Sequence, residues 1–234
     1  MDVLRFEAPA SGGPGRTPPP GSGDRPAPEP LVNAPWPVVV LTLGIIAAYL
    51  LQRQFSTDVV AAIWGFSPAR LAEGSLQGLV SSQFIHGNWA HALMNAGFVL
   101  AFGAPVSRFM GSRPTGVAAF FLFYLTSGVL ACLGFASLHW GQETTLIGAS
   151  GAASGLMGAA SRLIAGRGRV GPLFAPIVVS MAASWVLINV VMAFAGGLII
   201  PGAGDAPISW EAHLAGFAAG ALIVPAFGWL AGRR

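Results

Sequence analysis

The sequence predicts an all-α integral membrane protein: a bundle of six membrane-spanning helices behind a disordered amino-terminal tail. Two observations carry this. The chain of 234 residues is 54% hydrophobic and only 9% charged, with a mean hydropathy of +0.67, whereas a soluble domain carries about 25% charge. The apolar residues also gather into windows close to the roughly 20 residues that a helix needs to cross about 30 Å of hydrocarbon. These windows fall at about residues 35–52, 89–107, 115–138, 149–166, 172–195 and 210–231.

Residues 1–33 are rich in Pro, Gly and Ser, with scattered charge of both signs. Such a stretch buries too little apolar surface to offset its chain entropy, so it reads as a disordered tail before a membrane domain at 34–234. It lacks the basic start and immediate apolar core of a secretory signal, so the first span is expected to be retained. Between the first two spans lies a long connection, residues 53–88. It carries Trp64, Phe66, Pro68, Leu71, Leu76, Leu79 and Val80, which is too apolar for a solvated linker. It is expected to lie partly in the membrane interface, with Trp64 and Trp89 at headgroup depth.

The net charge of +3 comes entirely from Arg, since the chain contains no Lys. There is no long basic run and no aromatic RNA-binding motif, so no nucleic-acid partner is expected. The arginines instead mark topology. Arg5, Arg16 and Arg25 lie in the tail, Arg108 and Arg113 after span two, Arg162, Arg167 and Arg169 after span four, and Arg233 and Arg234 at the end. The opposite connections hold only Arg53 and Arg70, together with Asp58, Glu73, Glu143, Asp205 and Glu211. The positive-inside rule therefore puts both termini in the cytoplasm.

Spans two, four and six then all run from outside to inside. His91 and Asn95 fall in the first turns of span two, Ser150 at the start of span four and His213 at the start of span six. Three segments thus deliver polar groups to the outer end of the bundle. Arg162 follows Ser150 by twelve residues, roughly 18 Å of helix. With Arg162 at the inner boundary, Ser150 sits roughly 10 Å below the outer one. Span four is then too short to cross, and the chain before it must dip into the membrane. Irregular backbone at that depth is tolerated only inside protein or beside a wet cavity.

Ser with His is the minimum equipment for nucleophilic acyl transfer. Ser150 lies between Gly148 and Gly151, which permit a tight turn and close approach of another backbone. Its N–H, at a helix start, is available to a developing oxyanion. The competing reading is packing, because Gly, Ala and Ser are what membrane helices use to approach closely. His213, neutral near pH 7, suits a general base, and ionisable residues within membrane helices are usually functional. Its alternative is a ring satisfied by a backbone carbonyl. Gly216 and Gly220 extend the small-residue face of span six toward span four. Glu211 should face away from His213 on a helix, and Asn189 is the nearest remaining polar residue. A Ser–His dyad is the expectation.

His91 and Asn95 share one helical face at i and i+4. Both can donate hydrogen bonds, as an oxyanion hole requires, or they could tie span two to its neighbours. His86 reads as a structural or cavity residue of the loop leading into span two. Zinc held by His86, His91 and His213 is set aside, since no Asp, Glu or second Cys joins them, and no cofactor is expected. Cys132 reads as a small packing residue rather than a nucleophile.

The pattern His86…His91-x-x-x-Asn95, Gly148-x-Ser150-Gly151 and Ala212-His213-x-x-Gly216-x-x-x-Gly220, spread over six hydrophobic spans, resembles the rhomboid intramembrane serine proteases. The resemblance covers about residues 35–231. It implies that Ser150 is the nucleophile and His213 the base, with the Ser150 N–H, His91 and Asn95 stabilising the oxyanion. It also implies cleavage of membrane proteins near the outer ends of their helices, a mobile cap at about 196–209, and a bacterial inner membrane. Two positions depart from the family pattern. Ser107 and Arg108 occupy the region where an acid often follows Gly in span two, and Ser154 stands where some members carry an aromatic supporting the His ring. Two rival readings are an inactive relative that binds membrane clients, and a transporter. Against a transporter, the chain lacks matching repeat halves or a charged pathway. The sequence leaves the oligomeric state open.

Overall fold

The structure, a computed structural model, describes residues 34–199 and 209–233, with the backbone alone for 195–199. The elements are α1 (Trp36–Gln52), α2 (Thr57–Trp64), α3 (Pro68–Ala72), α4 (Gly78–Ser81), a 3-10 turn (Ser82–Phe84), α5 (Trp89–Met110), α6 (Pro114–Leu138), α7 (Ser150–Ala165), α8 (Pro176–Ile199) and α9 (Trp210–Leu230). Among the described residues the only β pairing is two isolated bridges, Phe66 with Leu146 and Gly166 with Arg169.

Local signals set the helix ends. Pro114 and Pro176 occupy the first positions of α6 and α8, where the missing N–H costs nothing. Asn88 caps α5 by accepting the His91 N–H at 2.8 Å, and α5 stops at Gly111, whose φ of +88° suits glycine. Pro105 and Pro225 lie inside α5 and α9, as membrane helices allow.

α5, α6, α9 and the described part of α8, Pro176–Phe194, are long and apolar enough to cross a membrane. The other two expected spans are shorter: α1 has 17 residues and α7 has 16. At about 1.5 Å per residue α7 reaches about 24 Å, short of a full crossing. Its surroundings explain why it need not be strongly apolar. α7 is packed by α5, α6, α8 and α9, and twelve of its 16 residues are buried, so protein rather than lipid covers it.

The α7–α9 contact is backbone against backbone. A Cβ at Gly220 would run into the Gly155 carbonyl oxygen, one at Gly216 into that of Gly151, and one at Gly158 into that of Phe217. The small-residue face expected of span six is therefore matched by one on α7. The main apolar core fills the space between α1, α5, α6 and α7 with Val38, Ile45, Val99, Phe120, Phe123 and Leu156.

The connection 53–88 leaves Val59, Ile63, Trp64, Leu76 and Val80 exposed. It is tied down at three places. Phe66 and Leu146 exchange backbone hydrogen bonds at 2.9 and 2.8 Å, and the Gly148 N–H donates to Ser82 O at 2.9 Å. Gln52 clasps the His86 backbone, donating to its carbonyl and accepting its N–H. Trp89 packs edge-on against Tyr49 at 4.9 Å and lies beneath Arg53 at 5.8 Å.

One boundary needs correction. α8 runs to Ile199, so residues 196–199 of the expected cap are helical. The apolar Leu198 and Ile199 extend the span, and Gly196 and Gly197 do not break it, because membrane helices tolerate glycine. Residues 200–208 of that cap, Asp205 included, lie outside the described residues, as does the tail 1–33.

Candidate active site

Ser150 is the first residue of α7 and His213 lies in the first turn of α9. Backbone contact between the two helices brings them together: His213 Nε2 is 2.8 Å from Ser150 Oγ. On its other side His213 Nδ1 is 2.7 Å from Asn189 Oδ1. Asn189 in turn donates from Nδ2 to the Trp185 carbonyl at 2.8 Å. The Trp185 ring lies beside the His213 ring, with centroids 5.8 Å apart and a 35° tilt.

The chain enters Ser150 through a turn at Gly148, whose φ is +118°. A side chain there is excluded twice, by that backbone and by its neighbours. A Cβ would lie 2.6 Å from His91 Nε2 and 3.6 Å from Asn95 Nδ2. The two α5 residues thus turn their nitrogens toward the backbone two residues before Ser150. The Gly87 N–H reaches His91 Nδ1 in a long contact of 3.5 Å, which leaves Nε2 as the protonated nitrogen on the site side. Asn95 is buried, and its Nδ2 also donates to the His91 carbonyl at 3.0 Å.

His86 supports this turn from behind. Its Nε2 accepts the Ala149 N–H at 3.4 Å, and its ring meets that of His91 edge-on at 5.1 Å. It lies outside the long helices. Burial, reinforced by the neighbouring His91, holds its imidazole far below the ordinary range, at about 3. His86 is a buried neutral acceptor that props the backbone. Beside Ser150 a cavity of about 10 Å³, lined in part by Gln83, Cys132, Leu146 and Gly151, has room for roughly one water.

A sequence model described as Rhomboid domain matches residues 73–230, more than half of the chain. The chain belongs to the rhomboid family. No curated protein matches it. Rhomboid proteins are mostly serine proteases of the membrane, with inactive members among them, and this rhomboid chain is an integral membrane protein with a helical bundle.

The four residues singled out from the sequence, Ser150, His213, His91 and Asn95, converge on the start of α7. Glu211 does face away from His213, as expected, and its carboxylate lies 3.2 Å from His139 Nε2. Of the two departures from the family pattern, Ser107 is buried within α5 and Arg108 is exposed. At the other, Ser154 Oγ donates to the Ser150 carbonyl at 2.7 Å, and the aromatic neighbour of the His ring comes from Trp185 instead. Sequence reasoning missed Trp185, Gln52 and Asn88. Asn88 alone carried a readable signal, an N-cap residue immediately before an apolar run.

Proposed function

We propose that this rhomboid protein is an intramembrane serine endopeptidase, with Ser150 as nucleophile and His213 as general base. The observation that carries the reading is the 2.8 Å contact between His213 Nε2 and Ser150 Oγ, which fits a base positioned to take the hydroxyl proton. As Oγ attacks a scissile carbonyl, negative charge develops on the carbonyl oxygen. The Ser150 N–H at the start of α7, His91 Nε2 and Asn95 Nδ2 are the donors assigned to that charge. The glycine turn at Gly148 keeps the approach open for a substrate backbone.

In this reading α1 and α5–α9 are six spans forming the catalytic domain 34–234, residues 1–33 are the amino-terminal tail that precedes it in the chain, and both termini are cytoplasmic in a bacterial inner membrane. α7 is the short span, and Ser150 sits below the outer surface. The asymmetry of the arginines supports this orientation. The substrates are single-span or other membrane proteins, cut near the outer ends of their helices. In a helix each scissile carbonyl is hydrogen-bonded and shielded, so several residues must unwind before Oγ can reach one. Gly or Pro lowers that cost.

The test is cleavage of a panel of single-span proteins by the purified enzyme in liposomes, with Gly-Pro or a Leu run placed below the outer boundary of one substrate. Faster cleavage of the Gly-Pro version is expected. No cleavage of any substrate would favour the inactive, client-binding reading.

A further inference from the structure

Asn189 lies 24 residues before His213 on a different helix. Its amide has only one orientation that satisfies both neighbours. The Trp185 backbone carbonyl, 2.8 Å away, can only accept a hydrogen bond, so the nitrogen end of the amide must face it. The oxygen end therefore faces His213 Nδ1 at 2.7 Å. A bare ring nitrogen at that distance from a bare carbonyl oxygen would set lone pair against lone pair, so Nδ1 must carry the proton. A neutral imidazole has one N–H. Nε2 is then the acceptor, and the bond of 2.8 Å on that side is donated by Ser150 Oγ.

We infer that Asn189 is a positioning residue that holds His213 in the Nδ1–H tautomer, with the Trp185 carbonyl holding Asn189. This rests on the catalytic reading above and extends the expected dyad to a third helix. The step is then defined by atom. A bond forms from Ser150 Oγ to the scissile carbon, the carbonyl π pair moves to its oxygen, and the Oγ proton passes to Nε2. The imidazolium keeps its Nδ1–H on Asn189 and later gives the Nε2 proton to the leaving amine as the C–N bond breaks.

Burial on α8 supports a specific role. Among its described residues only Val178, Trp185 and Asn189 are buried, so this otherwise outward-facing helix turns two of its three buried side chains to the base. An amide also suits the depth, because an ionised carboxylate there would be costly to bury. Of the groups near His213, Glu211 is engaged by His139, and the Asn189 oxygen is the one in hydrogen-bond contact with Nδ1.

Two measurements test the inference separately from the protease reading. The first is ¹⁵N NMR of the imidazole nitrogens in the full-length protein at neutral pH, with His213 assigned by loss of its signals in His213→Ala. A protonated Nδ1 and a bare Nε2 are expected. The reverse pattern overturns the proposal whatever the activity. The second is the rate of fluorophosphonate labelling and the cleavage kinetics of Asn189→Leu and Asn189→Gln. Asn189→Leu removes the acceptor and should lower kcat about ten- to a hundredfold with little change in KM. Asn189→Gln keeps a neutral amide, with an oxygen for Nδ1 and an N–H for the Trp185 carbonyl, and should recover part of that loss. If Asn189→Leu labels and cleaves like wild type, or Gln is as slow as Leu, Asn189 does not position the base. A wild-type protein that neither labels nor cleaves, yet shows the Nδ1–H tautomer, would instead defeat the protease reading and leave the hydrogen bond standing.

Discussion

α7 and α8 both meet His213, yet they are held in opposite ways. α7 is wrapped by four helices, buries most of its residues, and touches α9 backbone to backbone through glycines that leave no room for a Cβ. α8 exposes Val179, Val186, Leu187, Ile188, Val190 and Val191 and buries only three of its described residues. Ser150 is therefore fixed by tightly constrained packing, whereas Asn189, the partner of His213, comes from a helix that buries little among its described residues. The distance between Ser150 and His213 is a property of main-chain contact. Ring orientation at His213 is a property of two side chains and a carbonyl on α8.

Gly220→Val should give the largest effect. Its side chain would run into the Gly155 carbonyl oxygen, and main chain cannot yield as a side-chain tip does. The cost should exceed that of overpacking an ordinary core, about 1–3 kcal/mol. α7 and α9 must separate, taking Ser150 from His213, so cleavage should disappear and thermal stability should fall. A stable, active Gly220→Val protein would show that the close approach is not needed.

Asn95→Ala comes next. Losing one oxyanion donor costs about 2.7–4 kcal/mol, or roughly 10²–10³ in rate, and the measured kcat should fall by that factor with the melting temperature little changed. An unchanged rate would remove Asn95 from the site, and loss of folding would make it a structural tie. Ser154→Ala should be milder. Its hydroxyl only donates back to the Ser150 carbonyl, a bond that slightly disfavours the helix where it occurs, so most activity should remain. Leu187→Ala, on a side chain 63% exposed, should change stability by no more than about 0.5 kcal/mol. A large loss there would mean that α8 is covered by something besides lipid.

Much of this was legible in the chain because membranes impose simple rules. Hydropathy located the long helices to within a few residues, since each must be apolar over its length. The small-residue spacing at Gly216 and Gly220 points to close contact with span four, since only such residues allow it; the pairing with Gly151 and Gly155 comes from the structure. His91 and Asn95 could be paired because one helical face sets their geometry. What was hidden depends on pairing across the chain. Asn189 offered no pattern of its own, and its weight comes from a hydrogen bond to a helix 24 residues away. The Gln52–His86 clasp and the Phe66–Leu146 bridge join segments that no periodicity connects. α8 continues to Ile199, past the start expected for the cap, because Gly196 and Gly197, which resemble loop residues in sequence, are tolerated within membrane helices.

The most direct measurement of whether Ser150 and His213 form a hydrolytic centre is active-site labelling of the purified protein with a fluorophosphonate, followed by peptide mass spectrometry to locate the adduct. The expected result is a single phosphonylated residue, Ser150, with labelling abolished in Ser150→Ala, reduced to background in His213→Ala and retained in Ser154→Ala. An adduct on Ser154, labelling of Ser150 at an unchanged rate in His213→Ala, or no adduct at all on the folded wild-type protein would contradict it.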